Sequence, residues 1–256
     1  MIKQRILVIG CSFSRQYGDI DDPYTRWSWA EIVQQKLNDR GYSAKTYNTS
    51  QYCSSIFAQW HNLKFYLPLQ WDLVILQFTG TQRQTYVRDE IEYNSYLNTL
   101  APGFNGVQGY TELDYDTMVS DWITYGFNRH GFLHLNPGTA TSSSKTSEMK
   151  EAYLTNCLYS MYATTQESKE LQVLIEKEMI ATVKSHNIPV IAYRHWRNPV
   201  YNITHNEHLD FCVSDDLENW KDYQVDGGQH FGRRGNTALL EKLIMPRVLQ
   251  CIDTKI

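Results

Sequence analysis

The sequence predicts an α/β fold, with helices packed around a central parallel sheet. Three short apolar runs end in turn residues, and such continuous runs are typical of strands that are buried on both faces. Segments with helical periodicity separate these runs, so successive strands are expected to be joined by right-handed βαβ crossovers. The chain has 256 residues, of which 42% are hydrophobic and 20% are charged. This length and composition suffice for one domain with a full core.

The predicted elements alternate between strand and helix along the chain. Ser28, with Glu31 three residues later, forms a capping box that predicts the start of the first helix, and Gly41 predicts its end. Pro189 is a stop signal after a long helix, and Pro246 predicts a kink in the last helix. In order, the elements are a strand at 5–10, a helix at 28–41, a strand at 44–48, a helix at about 55–66, a strand at 72–78, the long helix ending near 186–187, a strand at 188–195 and a helix at 236–252.

Residues 84–147 interrupt this alternation. The segment contains many Tyr, Asn and Gly residues and shows neither a strand period nor a helix period. A structureless loop of this length would be unusual in a compact domain, so we expect a partly helical segment with structure of its own. The prediction is therefore a single domain over residues 1–256, with an insertion at about 84–147 that lies over the edge of the sheet where the strands end.

Charge and hydropathy exclude several classes of function. The formal net charge is -4, whereas a nucleic-acid-binding domain normally has a basic surface. The longest apolar runs are no longer than strands, so neither a transmembrane segment nor a signal peptide is predicted. The five cysteines have no paired spacing, which favours reduced thiols and a cytoplasmic location. The content of Tyr and Asn resembles that of some phage proteins, and association with a virion is the alternative location.

Polar residues follow the predicted strands at their carboxyl ends, where an open parallel sheet binds its ligands. The first of these ends reads GCSFS, which lacks both the glycine pattern of a dinucleotide-binding loop and the lysine of a phosphate-binding loop. The segment DGGQH places Asp226 and His230 just before the last helix. A serine nucleophile needs a base, and the base needs an orienting carboxylate. Ser12, His230 and Asp226 therefore form a candidate catalytic set.

These segments resemble the sequence blocks of the SGNH (GDSL-type) hydrolases, whose members share a flavodoxin-like, three-layer α/β/α sandwich. IGCSFS is similar to their first block, with Cys11 where the family has aspartate, and the resemblance implies that Ser12 is the nucleophile. DGGQH is similar to their fourth block, D-x-x-H, with one residue more between the two ends. It implies that His230 is the general base and that Asp226 orients it. The resemblance covers both ends of the chain and leaves out its middle third.

Two further blocks imply an oxyanion hole. NTSQYCSS is similar to the second block, with Asn48 and Ser55 at matching positions and Cys53 where the family has glycine. TGTQ is similar to the third block, with Thr81 where the family has asparagine, so a single hydroxyl replaces an amide with two donors. The implied residues are the backbone N–H groups of Ser12 and Cys53 and the Thr81 hydroxyl as oxyanion donors, and Gln82 and Arg83 as further substrate contacts.

Three other groups of residues leave alternatives open. Cys11 is a second candidate nucleophile beside Ser12, although successive residues of a turn point in different directions and only one of them can serve. Residues 205–212 include two histidines, an aspartate and a cysteine, and we interpret them as a solvated loop rather than a metal site. Arg194, His195 and Arg197 lie at the end of a predicted strand. They are expected to pair with surface acids or to lie near an anionic substrate.

The expected function is that of a serine esterase that hydrolyses small acyl esters, above all acetyl esters, including those on carbohydrate. An acyltransferase would use the same residues, and a non-catalytic module that binds carbohydrate or protein would keep the same fold. Neither a cofactor nor a metal is expected. The expected partner is a small-molecule or glycan ester, and neither a nucleic acid nor a membrane.

Overall fold

A five-stranded parallel sheet forms the centre of the molecule. The computed structural model describes residues 3–11, 13–14, 17–18, 26–50, 55–78, 84–87, 132–135, 165–195, 207–224 and 231–254. Its strands are β1 (Lys3–Ile9), β2 (Ser43–Asn48), β3 (Leu73–Phe78), β4 (Val190–Arg194) and β5 (Phe211–Cys212). The spatial order is β2-β1-β3-β4-β5, which is the order of flavodoxin-like folds. The predicted parallel sheet is confirmed.

Helices cover both faces of this sheet and give the predicted three layers. In β1, Ile6 and Val8 pack on one face, whereas Leu7 and Ile9 pack on the other, and all four side chains are buried. Burial on both faces explains why the run is apolar without interruption. The helices are α1 (Trp29–Asp39), α5 (Arg233–Leu239) and α6 (Met245–Asp253) on the first face, α2 (Ile56–Tyr66) and α3 (Gln166–Ser185) on the second, and the short α4 (Val213–Asp216) after β5.

Serine side chains cap the first two helices, and the cap at Ser28 was predicted from the sequence. Ser28 Oγ accepts a hydrogen bond from the Ala30 N–H at 3.2 Å, and Ser55 Oγ accepts one from the Ala58 N–H at 3.3 Å. Each bond satisfies one of the backbone donors that a helix N-terminus leaves without an intrahelical partner. After α1 the chain turns at Gly41, whose φ is 87°, a conformation that glycine adopts without strain.

The C-terminal helix differs from its prediction at both its start and its middle. It begins at Arg233 rather than at Asn236. The Asn236 side chain donates to the carbonyl oxygens of Phe231 and Gly232 at 2.9 and 3.1 Å. These two bonds stabilise the additional helical turn that precedes Asn236. A π turn at Leu240–Ile244 separates α5 from α6. Pro246 has no N–H to complete an α-helical ladder there, so the predicted irregularity takes the form of this π turn.

Two short antiparallel ribbons lie outside the central sheet. Gln84–Val87, at the start of the predicted insertion, pairs with Phe132–Leu135 within it, and Tyr17–Gly18 pairs with Arg26–Trp27. The insertion therefore contains structure of its own, in this ribbon. Its predicted helical content falls on residues that lie outside the described part of the chain. Within the described part, no helix has both the length and the apolar character needed to cross a membrane.

Candidate active site

The order of the strands reverses between β1 and β3, because β2 lies on one side of β1 and the later strands lie on the other. In open α/β sheets, ligands bind in the crevice at such a switch point, beyond the carboxyl ends of the strands. The described residues that follow β1 and that end β3 therefore define the candidate site.

A tight turn closes directly after β1. The Ser14 N–H donates to the Cys11 carbonyl oxygen at 3.0 Å, and both residues are fully buried. At Gly10, a Cβ would lie 2.9 Å from both Gln77 Oε1 and Ser14 Oγ, a distance at which one of these atoms would have to shift. The glycine that ends the apolar run thus allows the turn to pack closely against β3.

Gln77, in β3, is the centre of the hydrogen bonds under this turn. Its Oε1 accepts from the Cys11 N–H at 2.9 Å, from Cys11 Sγ at 3.1 Å and from Ser14 Oγ at 3.3 Å. Its Nε2 donates to the carbonyl oxygen of Phe78 at 2.7 Å. Ser14 Oγ also lies 3.4 Å from Tyr193 Oη of β4. The ends of β1, β3 and β4 are therefore joined by one buried polar network.

Tyr193 takes part in this network as a neutral phenol. Burial raises the pKa of Tyr193 well above its ordinary value, because the ionised form would lose its hydration. The ring also stacks on Phe211 of β5 at a centroid distance of 4.6 Å and an interplanar angle of 11°. Tyr193 thus connects the network to β5, the strand next to β4.

Asn48, which ends β2, connects the turn to the start of α1. Its Nδ2 donates to the Ser14 carbonyl oxygen and to Ser28 Oγ, and its Oδ1 accepts from the Ser50 N–H at 3.1 Å. Ser28 Oγ in turn donates to the same Ser14 carbonyl at 3.0 Å. A residue of the predicted second block therefore lies against the turn that follows β1, while Ser55 of the same block caps α2.

The thiol of Cys11 is directed into the core. Its side chain is fully buried, and Sγ bonds to Gln77 Oε1 beneath the turn. A nucleophile must reach a substrate outside the sheet. This burial leaves Ser12 as the candidate nucleophile of the segment.

Aromatic rings occupy the next part of the same edge. His195 directly follows β4 and is 4% exposed. Its ring centroid lies 4.4 Å from that of Phe13 and 5.2 Å from that of Phe231. In the sequence Phe13 follows Ser12, and Phe231 follows His230. The His195 ring therefore contacts both Phe13, the sequence neighbour of the candidate nucleophile, and Phe231, the sequence neighbour of the candidate base.

The predicted site residues themselves lie outside the described part of the chain, and their roles stay predictions from the sequence. They are Ser12, Cys53, Thr81, Gln82, Arg83, Asp226 and His230. Arg197 and His205 of the alternative groups lie outside it as well.

Arg194 pairs with a buried acid rather than with the expected surface acid. Its Nε donates to Glu176 Oε1 at 3.1 Å, and its Nη2 donates to Oε2 of the same carboxylate. Glu176 belongs to α3 and is completely buried. Its carboxylate also accepts from Gln172 Nε2 at 2.8 Å and lies 2.7 Å from His208 Nε2. The expectation of a surface partner was wrong, because α3 carries this acid over the end of β4.

The described residues of segment 205–212 bond to β4 and to α3. Asp210 Oδ2 accepts from the Ala192 N–H at 2.7 Å, and His208 contacts Glu176. Burial raises the pKa of the Cys212 thiol. Among the residues that the structure describes, no three His, Cys, Asp or Glu side chains are grouped as ligands for a metal ion.

Sequence reasoning missed Gln77 and Glu176. Gln77 is the one polar side chain within the strand LVILQF, and this position alone is a local signal of a buried hydrogen-bonding role. Glu176 gives no local signal, because its partners Arg194 and His208 lie 18 and 32 residues further along the chain.

No family model matches the chain, and no curated protein matches it. Solved structures that it resembles include one described as TesA, at 13% identity over 97% of this chain and 99% of the other, with a TM-score of 0.46. AlinE4, described as an SGNH-hydrolase family esterase, matches at 12% identity over 100% and 97%, with a TM-score of 0.41. A lipase/acylhydrolase from Enterococcus faecalis matches at 14% identity over 98% and 96%, with a TM-score of 0.37. All three TM-scores are below 0.5.

Proposed function

We propose that this protein is a serine ester hydrolase of the SGNH type. Ser12 is the nucleophile, His230 is the general base, and Asp226 orients His230. The substrates are small acyl esters, above all acetyl esters, including those carried by sugars.

One observation carries this proposal. The turn after β1 lies at the switch point of the sheet, and His195 contacts both Phe13 and Phe231. These two phenylalanines are the sequence neighbours of Ser12 and His230. The contact supports a short separation between a hydroxyl and an imidazole at the edge where such sheets bind ligands.

The reaction has two steps. Ser12 Oγ attacks the ester carbonyl carbon as His230 takes its proton, and His230 then gives this proton to the leaving alcohol as the ester C–O bond breaks. Water next attacks the acyl-serine with His230 again as base, which releases the carboxylic acid and restores the Ser12 hydroxyl. The N–H groups of Ser12 and Cys53 and the Thr81 hydroxyl stabilise the oxyanion in both steps. If a sugar hydroxyl replaced water in the second step, the product would be that of an acyltransferase.

Hydrolysis of p-nitrophenyl acetate by the purified chain tests the proposal. Wild-type protein should turn over the ester, and Ser12→Ala and His230→Ala should each lower kcat by about 1,000-fold or more. A fluorophosphonate probe should label the wild type on the peptide that contains Ser12, as identified by mass spectrometry. The label should be absent from Ser12→Ala.

Ser185→Ala is a matched control, because it removes an exposed serine hydroxyl at the end of α3. It should leave both the rate and the labelling unchanged. Full activity in Ser12→Ala would reject the proposed nucleophile. A wild type that neither hydrolyses the ester nor reacts with the probe would favour a binding module on the same fold.

A further inference from the structure

His195 is a buried histidine at the candidate edge that has no role in the reaction described above. It directly follows β4, and only 4% of its surface is exposed. Its carbonyl oxygen accepts a hydrogen bond from the Ser214 N–H at 2.9 Å, so α4 fixes its main chain. A side chain placed on a fixed strand end can hold other groups more accurately than one on a loop.

Among the residues that the structure describes, three aromatic rings surround the imidazole of His195. Its plane is inclined by 32° to that of Phe13 and by 68° to that of Phe231, at centroid distances of 4.4 and 5.2 Å. The Tyr193 ring lies 6.0 Å away, at 51°. Tilted and edge-on contacts of this kind restrict the orientation of each ring in the cluster.

The two closest rings belong to different segments of the chain. Phe13 lies in the turn after β1, one residue after Ser12, and Phe231 lies just before α5, one residue after His230. Phe13 is 7% exposed and Phe231 is 3% exposed. Neither ring can therefore move far without disturbing its neighbours. His195 supplies, from a third segment, the ring that lies between them.

We infer that His195 is a positioning residue for the proposed hydrolysis: its imidazole, packed between Phe13 and Phe231, sets the relative positions of Ser12 and His230. The inference rests on the proposed function for the identity of the two reacting groups. The link between their two segments does not depend on the proposed function, because it is given by the ring contacts of His195 with Phe13 and Phe231. Proton transfer requires a nucleophile and its base within hydrogen-bond reach, and a displacement of about 1 Å costs on the order of 100-fold in rate.

The test compares His195→Ala with His195→Phe in the hydrolysis of p-nitrophenyl acetate. Alanine removes the ring, so kcat should fall about 10- to 100-fold, while KM should change by less than about threefold. Phenylalanine keeps a flat ring between the same two partners and should restore most of the lost kcat. Since phenylalanine has no proton acceptor, this recovery also separates positioning from a role of His195 as the base itself.

Hydrogen exchange provides a measurement that does not depend on activity. In His195→Ala, the amides of Ser14 and Asn236 should exchange about tenfold or more faster, because both segments lose the ring that holds them. Val248→Ala is the matched control: Val248 is fully buried in α6 and has no part in the candidate site. This variant should lose stability while keeping kcat, and the amides of Ser14 and Asn236 should exchange faster by no more than the amide of Leu76 in β3, which reports global unfolding.

Each result decides the inference. An unchanged kcat in His195→Ala, a loss of kcat that His195→Phe does not restore, or unchanged exchange at Ser14 and Asn236 would overturn it. A wild type without Ser12-dependent turnover, combined with faster exchange at both amides in His195→Ala, would reject the proposed function. That combination would still support the link that His195 makes between the two segments.

Discussion

At the scale of single residues, one amide oxygen holds the turn on which the proposed chemistry depends. Gln77 Oε1 accepts from the N–H and the thiol of Cys11 and from the hydroxyl of Ser14. Buried polar groups need such partners, since water cannot reach them. The position of the turn relative to the sheet is therefore determined largely by a side chain of β3.

Gln77→Ala should destabilise the protein by about 2–5 kcal/mol, because it leaves the buried Cys11 N–H and Ser14 hydroxyl without this acceptor. Urea denaturation measures the free energy of unfolding. Gln35→Ala is the control, since Gln35 is exposed on α1 and its replacement should change stability by no more than about 0.5 kcal/mol. Equal effects of the two substitutions would contradict the role assigned to Gln77.

Tyr193 leads to a prediction at alkaline pH. Burial raises the pKa of Tyr193 above its ordinary value of 10.0, so the folded protein keeps the phenolic proton at a pH where the unfolded chain releases it. This contribution to stability is complete below pH 10 and is lost as the pH rises above it, by up to about 1.4 kcal/mol per pH unit. Tyr193→Phe has no such proton. Its free energy of unfolding, measured at about pH 9 and pH 11, should therefore fall less than that of the wild type. A difference that does not depend on pH would contradict this account.

At the scale of elements, an ion pair fastens α3 to the end of β4. Glu176 and Arg194 form two hydrogen bonds, and Gln172 and His208 complete the surroundings of the carboxylate. Removing one partner of a buried pair leaves the other charge without compensation, which costs more than the intact pair contributes. The same strand end carries Tyr193 and precedes His195, so this pair also supports the candidate site.

Glu176→Gln should destabilise the protein by about 3–5 kcal/mol, because it leaves the Arg194 guanidinium buried beside a neutral amide. Glu178→Gln makes the same chemical change at an exposed position of the same helix and should have an effect of about 0.5 kcal/mol or less. Chemical denaturation of both variants checks the comparison. Similar losses in the two would show that the buried pair is not what holds α3.

Local signals in the sequence predicted the elements that have them. The apolar run of β1 and the polar stretch before α2 gave boundaries within one or two residues of those observed. β5 was missed because it has two residues and pairs only with the last two residues of β4. The pairing of β5 with β4 joins residues that are distant in the sequence, and so does the contact between Glu176 and Arg194. Neither interaction leaves a local signal.

At the scale of the whole molecule, alternation predicted a parallel sheet, and the resemblance implied its flavodoxin-like order. The carboxyl edge could be predicted as the place of the site, because parallel strands all end there. The bonds that shape the edge could not be predicted in the same way. Gln77 and Cys11 lie 66 residues apart, and nothing in either local pattern identifies the other.

The insertion leads to a prediction about specificity. The ribbon of Gln84–Val87 and Phe132–Leu135 has Val87 paired with Phe132 as its last pair, so a turn of two to four residues can close it. Residues 88–131 lie between these strands, in a connection that leaves the sheet after β3 at the candidate edge. The segment contains eight aromatic residues: Tyr93, Tyr96, Phe104, Tyr110, Tyr115, Trp122, Tyr125 and Phe127.

Replacement of residues 88–131 by a short Gly/Ser turn should leave the hydrolysis of p-nitrophenyl acetate largely intact and abolish that of an acetylated glycan. The reason is that flat aromatic rings stack on the apolar faces of sugars, whereas a small arylester needs only the groups that react with it. Both rates are measured on the same preparation, and circular dichroism checks that the shortened chain is folded. Ser12→Ala in the shortened chain should abolish the remaining activity. Retention of both activities would mean that the segment forms no wall of the substrate cleft, and loss of both in a folded chain would mean that it carries part of the reaction itself.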